Sequence, residues 1–154
     1  MARNYWLTMH WPPLSGEQND WGVYLTNENK KKADGMRIGD YVWIYQTAKG
    51  PVSYNMAKKR VPYERGRKGV IALVKVAREM KPIRKLSKIN KDGKKFWWTW
   101  KFDVKLVRNS GFVSCKILNG IMGYKPGCCY RGFSLKSIEH ETHEKVMDAY
   151  AANH

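Results

Sequence analysis

Residues Met36–Thr47 read MRIGDYVWIYQT, and the reading of this stretch decides the fold. From Asp40 to Thr47 it predicts a β-strand, because β-branched and aromatic residues fit a pleated, half-buried surface. Side chains alternate along a strand, so Tyr41, Trp43 and Tyr45 point to one face. Such a row either packs in a core or walls a pocket. The chain around it is strongly basic: 29 Lys and Arg against 13 Asp and Glu give a net charge of +16 over 154 residues.

The flanking segments extend the pattern. NYWLTMHW (Asn4–Trp11) reads as a strand stopped by Pro12-Pro13. WGVYL (Trp21–Leu25) is a short apolar run. TNENKKKADG (Thr26–Gly35) predicts one or two helical turns, capped by Thr26 or Asn27 and stopped by Gly35. The stretch Ala48–Gly69 has two Pro, three Gly and no clean period, so it reads as a long basic loop, expected to be mobile until it closes on a ligand. VIALVKVA (Val70–Ala77) predicts a buried strand, and KPIRKLSKINKDGKK (Lys81–Lys95) a second basic loop.

FWWTWKFDVKLV (Phe96–Val107) alternates. Trp98, Trp100, Phe102, Val104 and Leu106 form an expected core face; Trp97, Thr99, Lys101, Asp103 and Lys105 form the other. GFVSCKILNGIMGY (Gly111–Tyr124) suggests a last strand or two. SLKSIEHETHEKVMDAY (Ser134–Tyr150) predicts a helix capped by Ser134, with Leu135, Ile138, Thr142, Val146 and Ala149 on its apolar face. Five or six strands, few helices and no βαβ repeat argue for an α+β class: a small, mostly-β barrel or curled sheet with flanking helices, in one domain over residues 1–154.

Composition narrows the function. A chain of this size buries a core without disulfides. No apolar run approaches the roughly 20 residues of a membrane span, and no signal peptide is evident, so a cytoplasmic protein is expected. Cys115, Cys128 and Cys129 are odd in number and lack a C-x-x-C pair. They read as reduced thiols rather than as metal ligands with His140 and His143. Charge is concentrated. From Lys58 to Lys95, fifteen Lys or Arg stand against Glu64, Glu79 and Asp92, a net of +12, whereas residues 134–154 carry a net of −2. A directed basic surface points to nucleic acid.

Signatures of catalysis are missing: there is no G-x-S-x-G, P-loop, H-E-x-x-H or zinc-deaminase pattern. HETHE (His140–Glu144) reads as a solvated helix face, while His10 and His154 stand alone. No metal or cofactor is expected, and no enzyme. Aromatic residues mixed with positive charge are present instead. Cations hold phosphates, and aromatic faces stack on bases that have left the duplex. An aromatic pocket also senses a methyl group, at about 1–3 kcal/mol. Trp6, Trp43, Trp98 and Trp100 are expected in the core; Trp11, Trp21, Tyr24, Tyr45 and Trp97 fit either core or pocket.

The segments NYWL, WGVY, GMRIGDYVWIY, WWTWKFDVKLV and GYKPGCCYRGFSL occur in the order found in EVE domains. The chain resembles that family over nearly its whole length, by order and spacing rather than by any single motif. The resemblance implies the PUA-like fold shared with YTH and ASCH domains. It also implies binding of a modified base, DNA in preference to RNA, and a nuclease domain or subunit of a modification-dependent restriction system as partner. The chain departs from the family pattern where Tyr24-Leu25 replaces the usual Arg-Asn after W-x-G-V, and where Thr8, Met9, His10 and Trp11 follow Y-W-L. Tyr24 takes the place of the YTH cage tryptophan and is a candidate cage wall by analogy.

The expected base pocket is Trp21, Tyr24 and Tyr45, with Trp11 and Trp97 nearby and with Asn27 or His10 reading the base edge. Lys58, Lys59, Arg60, Arg65, Arg67, Lys68, Arg84 and Lys85 are the expected phosphate contacts. Two alternatives stay open: a YTH-like reader of modified RNA, and an ASCH-like hydrolase acting on RNA or nucleotides through a Lys and a carboxylate.

Overall fold

The central strand of the computed structural model, which describes residues 3–123 and 135–152, is β3 (Tyr41–Gln46). It pairs in parallel with β1 (Tyr5–His10), Tyr5 opposite Tyr41 and Leu7 opposite Trp43. Its other edge pairs antiparallel with β4 (Gly69–Val76). A parallel pair needs a crossover. Here it comprises β2 (Val23–Leu25) and a 3₁₀ turn at Lys30–Ala33. β7 (Val104–Arg108) and β9 (Leu135–Ile138) complete the order β7-β4-β3-β1-β9, and β8 (Val113–Ser114) also pairs with β4. A second sheet has the order β2-β6-β5, with β5 at Lys81–Ile89 and β6 at Lys95–Phe102.

β3 is buried on both faces, which is why it reads as an almost continuous apolar run. Val42 and Ile44 face a core shared with Val23, Leu25 and Phe102 of the smaller sheet. Trp43 and Tyr45, 0% and 2% exposed, face a second core closed by α1 (Cys115–Met122) and α2 (His140–Ala151). The aromatic row of the opening stretch is therefore a helix-packing face. Trp43 Nε1 donates to His143 Nδ1 at 3.0 Å, and Tyr5 stacks on the same imidazole at 3.9 Å. Burial lowers the His143 pKa, with His140 adding to the effect and Glu144 opposing it. Asp40 of the G-D-Y segment accepts from Asn4 N, Trp6 Nε1 and Arg37 N, and so ties the starts of β1 and β3 together.

The class is α+β, as expected, but the strands do not close into a barrel, and nine are present among the described residues rather than five or six. The difference arises at Asp103. The stretch Phe96–Val107 breaks there into β6 and β7, which serve different sheets. The Asp103 carbonyl accepts from Ala77 N at 2.8 Å, and its carboxylate pairs with Lys81 and Lys101. Leu106 consequently leaves the expected core face and is 40% exposed.

Other boundaries also differ. The second basic loop is strand β5, turned onto β6 through Asn90–Lys94, where Gly93 adopts φ +89°. Lysines are common on edge strands because their charge blocks further pairing. Residues Gly111–Gly123 are mainly helical rather than strand: Ser114 Oγ caps α1 by accepting from Ile117 N, and Gly123 ends it at φ +75°. The final helix begins at His140, because Leu135–Ile138 pairs with β1 instead. Ser134, Cys128, Cys129 and His154 lie outside the described residues. After β2, Thr26 caps a turn as expected, its carbonyl and hydroxyl accepting from Asn29 N, and the 3₁₀ turn follows from Lys30. HETHE is solvated only in part. His140 and Glu144 form an exposed i,i+4 pair, but His143 is 9% exposed and belongs to the core.

Candidate nucleic-acid interface

Pro12-Pro13 ends β1, and the chain leaving it skirts a cleft of about 470 Å³ beside the smaller sheet. Trp11 from the end of β1, Tyr24 from β2 and Trp98 from β6 wall this cleft. The Trp11 and Trp98 rings are 5.5 Å apart and tilted by 48°; Tyr24 and Trp98 are 6.3 Å apart at 39°. The volume lies within the range of small-ligand sites and admits one base with room around it.

Polar groups gather at one side. The Asp20 carboxylate accepts from Tyr24 OH at 2.5 Å, Lys85 Nζ at 2.8 Å and Gly22 N at 2.9 Å. Burial by itself would raise the Asp20 pKa, but these donors outweigh it and hold the group at about 2. Burial and the Asp20 bond push Tyr24 up to about 12, against the opposing charge of Lys101. Tyr24 is therefore a neutral phenol and Asp20 a carboxylate throughout the physiological range. Lys85 Nζ and Lys101 Nζ lie 4.4 and 5.2 Å from the Tyr24 ring centroid.

His10 also lines the cleft. Its Nε2 is buried and has no hydrogen-bond partner. Burial lowers its pKa to about 4; the Asp20 charge and a hydrogen bond to the Asp20 backbone oppose the shift, and Lys85 adds to it. A hydrogen bond that favours the protonated form is one in which the ring donates. The neutral ring therefore offers its remaining nitrogen as an acceptor.

Of the seven residues expected in the pocket, the structure brings together His10, Trp11 and Tyr24. Tyr45 is buried on the helix side of the larger sheet. Trp21 packs against the core between the sheets. Asn27 is absent from the cleft lining, and its Oδ1 accepts from Trp100 Nε1 at 2.8 Å and Thr99 Oγ1 at 3.2 Å. Trp97 carries the Arg84 guanidinium 4.4 Å from its ring and is absent from the cleft lining. Trp98, expected in the core, is a cleft wall beside Trp11 and Tyr24. Asp20 and Tyr63 were not anticipated: Asp20 sits in a polar loop without a motif, and Tyr63 reaches the cleft only through long-range pairing.

That pairing involves the Ala48–Gly69 segment. Tyr63 bridges to Leu14, Glu64 N donates to Pro13 O at 2.7 Å, and Tyr54 N donates to Ile89 O at 3.0 Å. Lys58, Lys59, Arg60, Arg65 and Lys68 are all exposed on it. Arg67 lies over the Phe112 ring at 4.1 Å. Lys85 is the one expected phosphate contact that enters the cleft lining.

No protein-family profile matches this chain, and no curated protein matches it. Solved structures do. The crystal structure of human THYN1 in complex with 5-methylcytosine-containing DNA matches with a TM-score of 0.55 and 14% identity, covering 94% of this chain and 96% of that one. The NMR structure of Rpa0253 from Rhodopseudomonas palustris gives 0.56 and 16%, covering 97% and 94%. The crystal structure of Atu2648 from Agrobacterium tumefaciens gives 0.53 and 18%, covering 95% and 92%. Chains so distant in sequence yet matched over more than nine-tenths of their length share the fold, and this chain accordingly has the α+β fold of those three proteins.

Proposed function

We propose that this chain is a nucleic-acid-binding module that takes a modified, flipped base, in DNA, into the cleft between Trp11, Tyr24 and Trp98. The observation that carries the reading is this wall of three aromatic rings around a base-sized space, with Lys85 at its rim. THYN1, which has the same fold, is bound to 5-methylcytosine-containing DNA. Titration supports binding over catalysis. The cleft holds its histidine at about 4, its carboxylate at about 2 and its phenol at about 12, so none exchanges a proton readily near pH 7. The resemblance extends the reading to a recognition module working beside a nuclease.

Trp98→Ala is expected to weaken binding of a duplex with one 5-methylcytosine by about 1–3 kcal/mol, roughly ten- to a hundredfold. The unmodified duplex, held through its phosphates, should change little. Trp97→Ala, which leaves the cleft lining intact, is the control. Fluorescence anisotropy with both duplexes measures this; equal losses on both would remove the selective pocket. The Lys85–Asp20 pair at 2.8 Å favours one second reading, the ASCH-like hydrolase. The same mixtures, with RNA added and run on a denaturing gel, decide it: cleavage abolished by Asp20→Asn would support hydrolysis.

A further inference from the structure

The cations of the β5–β6 hairpin fall into two groups. Lys81 and Lys101 pair with Asp103, and Lys85 pairs with Asp20. On the same hairpin, Arg84, Lys88, Lys91, Lys94 and Lys95 form no ion pair among the described residues. The single acid there is Asp92, whose carboxylate accepts from the Lys94 backbone N–H at 3.1 Å and so shapes the turn. Three of these side chains rest against aromatic surface: the Arg84 guanidinium lies 4.4 Å from the Trp97 ring centroid, and Lys88 Nζ and Lys94 Nζ lie 5.0 and 5.2 Å from that of Phe96. Cation–π contacts of this kind hold an ammonium group out over the surface without neutralising it.

A second cationic turn joins this one. Asn55 Oδ1 accepts from Ala57 N at 2.9 Å and from Lys59 N at 3.1 Å, and Lys58 takes the left-handed conformation at φ +59°. Tyr54 bridges to Arg60 across this turn, while Tyr54 N donates to Ile89 O and Ile89 N to Ser53 Oγ. These bonds set Lys58, Lys59 and Arg60 beside the end of β5. Two basic segments some thirty residues apart thus become one surface.

We infer that the distal β5–β6 hairpin and the 55–60 turn form a single preformed phosphate-binding surface that grips the nucleic-acid backbone beside the base cleft. The inference rests on the proposed reading of that cleft and names the partner of the adjoining surface. Clustered, unneutralised cations repel one another, and a polyanion relieves that repulsion while releasing its counterions. Lys85, Leu86 and Ser87 of β5 line the cleft, so the hairpin leads from the cleft to the patch without a break. The hydrogen bonds that hold the 55–60 turn are present in the free protein. On this inference the surface is in place before the nucleic acid arrives.

The test measures Kd against NaCl concentration, by anisotropy, for a 5-methylcytosine duplex and its unmodified counterpart. The triple variant Lys91→Gln/Lys94→Gln/Lys95→Gln and the double variant Lys58→Gln/Lys59→Gln should each weaken both duplexes alike. Each lysine that contacts a phosphate should take about 0.9 from the log–log slope, so the triple loses roughly 2–3. The charge-matched control Lys105→Gln/Arg108→Gln/Lys116→Gln, on β7 and α1, should leave the slope nearly unchanged. Equal loss in that control would mean that net charge alone matters, and an unaltered slope in the hairpin variant would mean that no phosphate lies there; either overturns the inference. If the slope falls as expected but neither duplex is preferred, the base-reading proposal fails while this surface stands.

Discussion

Trp43→Ala is expected to destabilise the fold by about 3–5 kcal/mol, the usual cost of truncating a fully buried aromatic. For a chain of this length that lowers Tm on the order of 10 °C. Trp43 is 0% exposed and holds together β3, α2 and the Tyr150 ring, which lies 5.2 Å away. The substitution leaves a cavity and also strips His143 Nδ1 of its donor. Trp43→Phe separates the two losses. It keeps most of the volume and removes only the N–H, so it should cost about 1–3 kcal/mol. Urea unfolding followed by circular dichroism gives both values. If Trp43→Ala cost less than Trp43→Phe, ring volume would not dominate this core.

Acid should weaken the fold through His10. Its pKa is 6.5 in the unfolded chain and about 4 in the fold. Between those values the unfolded chain binds the extra proton, so stability is full above about pH 6.5 and declines as pH falls towards 4. The 2.5-unit difference corresponds to about 3 kcal/mol over that window. His143, also lowered by burial, adds in the same direction. Asp20 acts at lower pH: lowered from 3.8 to about 2, its contribution persists until pH falls below 4, and its half-exposed pair with Lys85 keeps that contribution small. His10→Phe should therefore flatten the decline between pH 6.5 and 4 while leaving a lower step in place. Unfolding free energies measured at half-unit intervals, wild type against variant, test this. Parallel curves would show that His10 does not titrate with folding.

The same histidine shows how far the cleft was legible in the sequence. His10, Trp11 and Tyr24 follow strand ends marked by Pro12 and by the W-G-V segment, and local sequence was enough to single them out. Trp98 was misassigned to the core because alternation along β6 gives a face but not what packs against each position on it: Phe102 and Trp100 meet the core, whereas Trp98 borders the cleft. Asn27 lies outside the cleft lining, and nothing nearby in sequence reveals that Trp100, 73 residues away, occupies its carbonyl oxygen. Tyr45 and Tyr24 look equivalent in sequence. One is buried under two helices, whereas the other borders a cleft.

What the sequence determined alone are the quantities that depend on neighbours along the chain: the β-branched and aromatic runs that make β1, β3 and β4 strands, and the excess of positive charge. Helix α1 and strand β5 were still misread, because short apolar or basic runs fit more than one local structure. Only the tertiary structure decided which strands share a sheet, that Asp103 divides one apolar run between two sheets, and that the two basic segments meet at Ile89. Those outcomes rest on contacts between residues tens of positions apart. Such contacts form only when their joint burial offsets the entropy of closing the intervening chain. No window of sequence contains both sides of that balance.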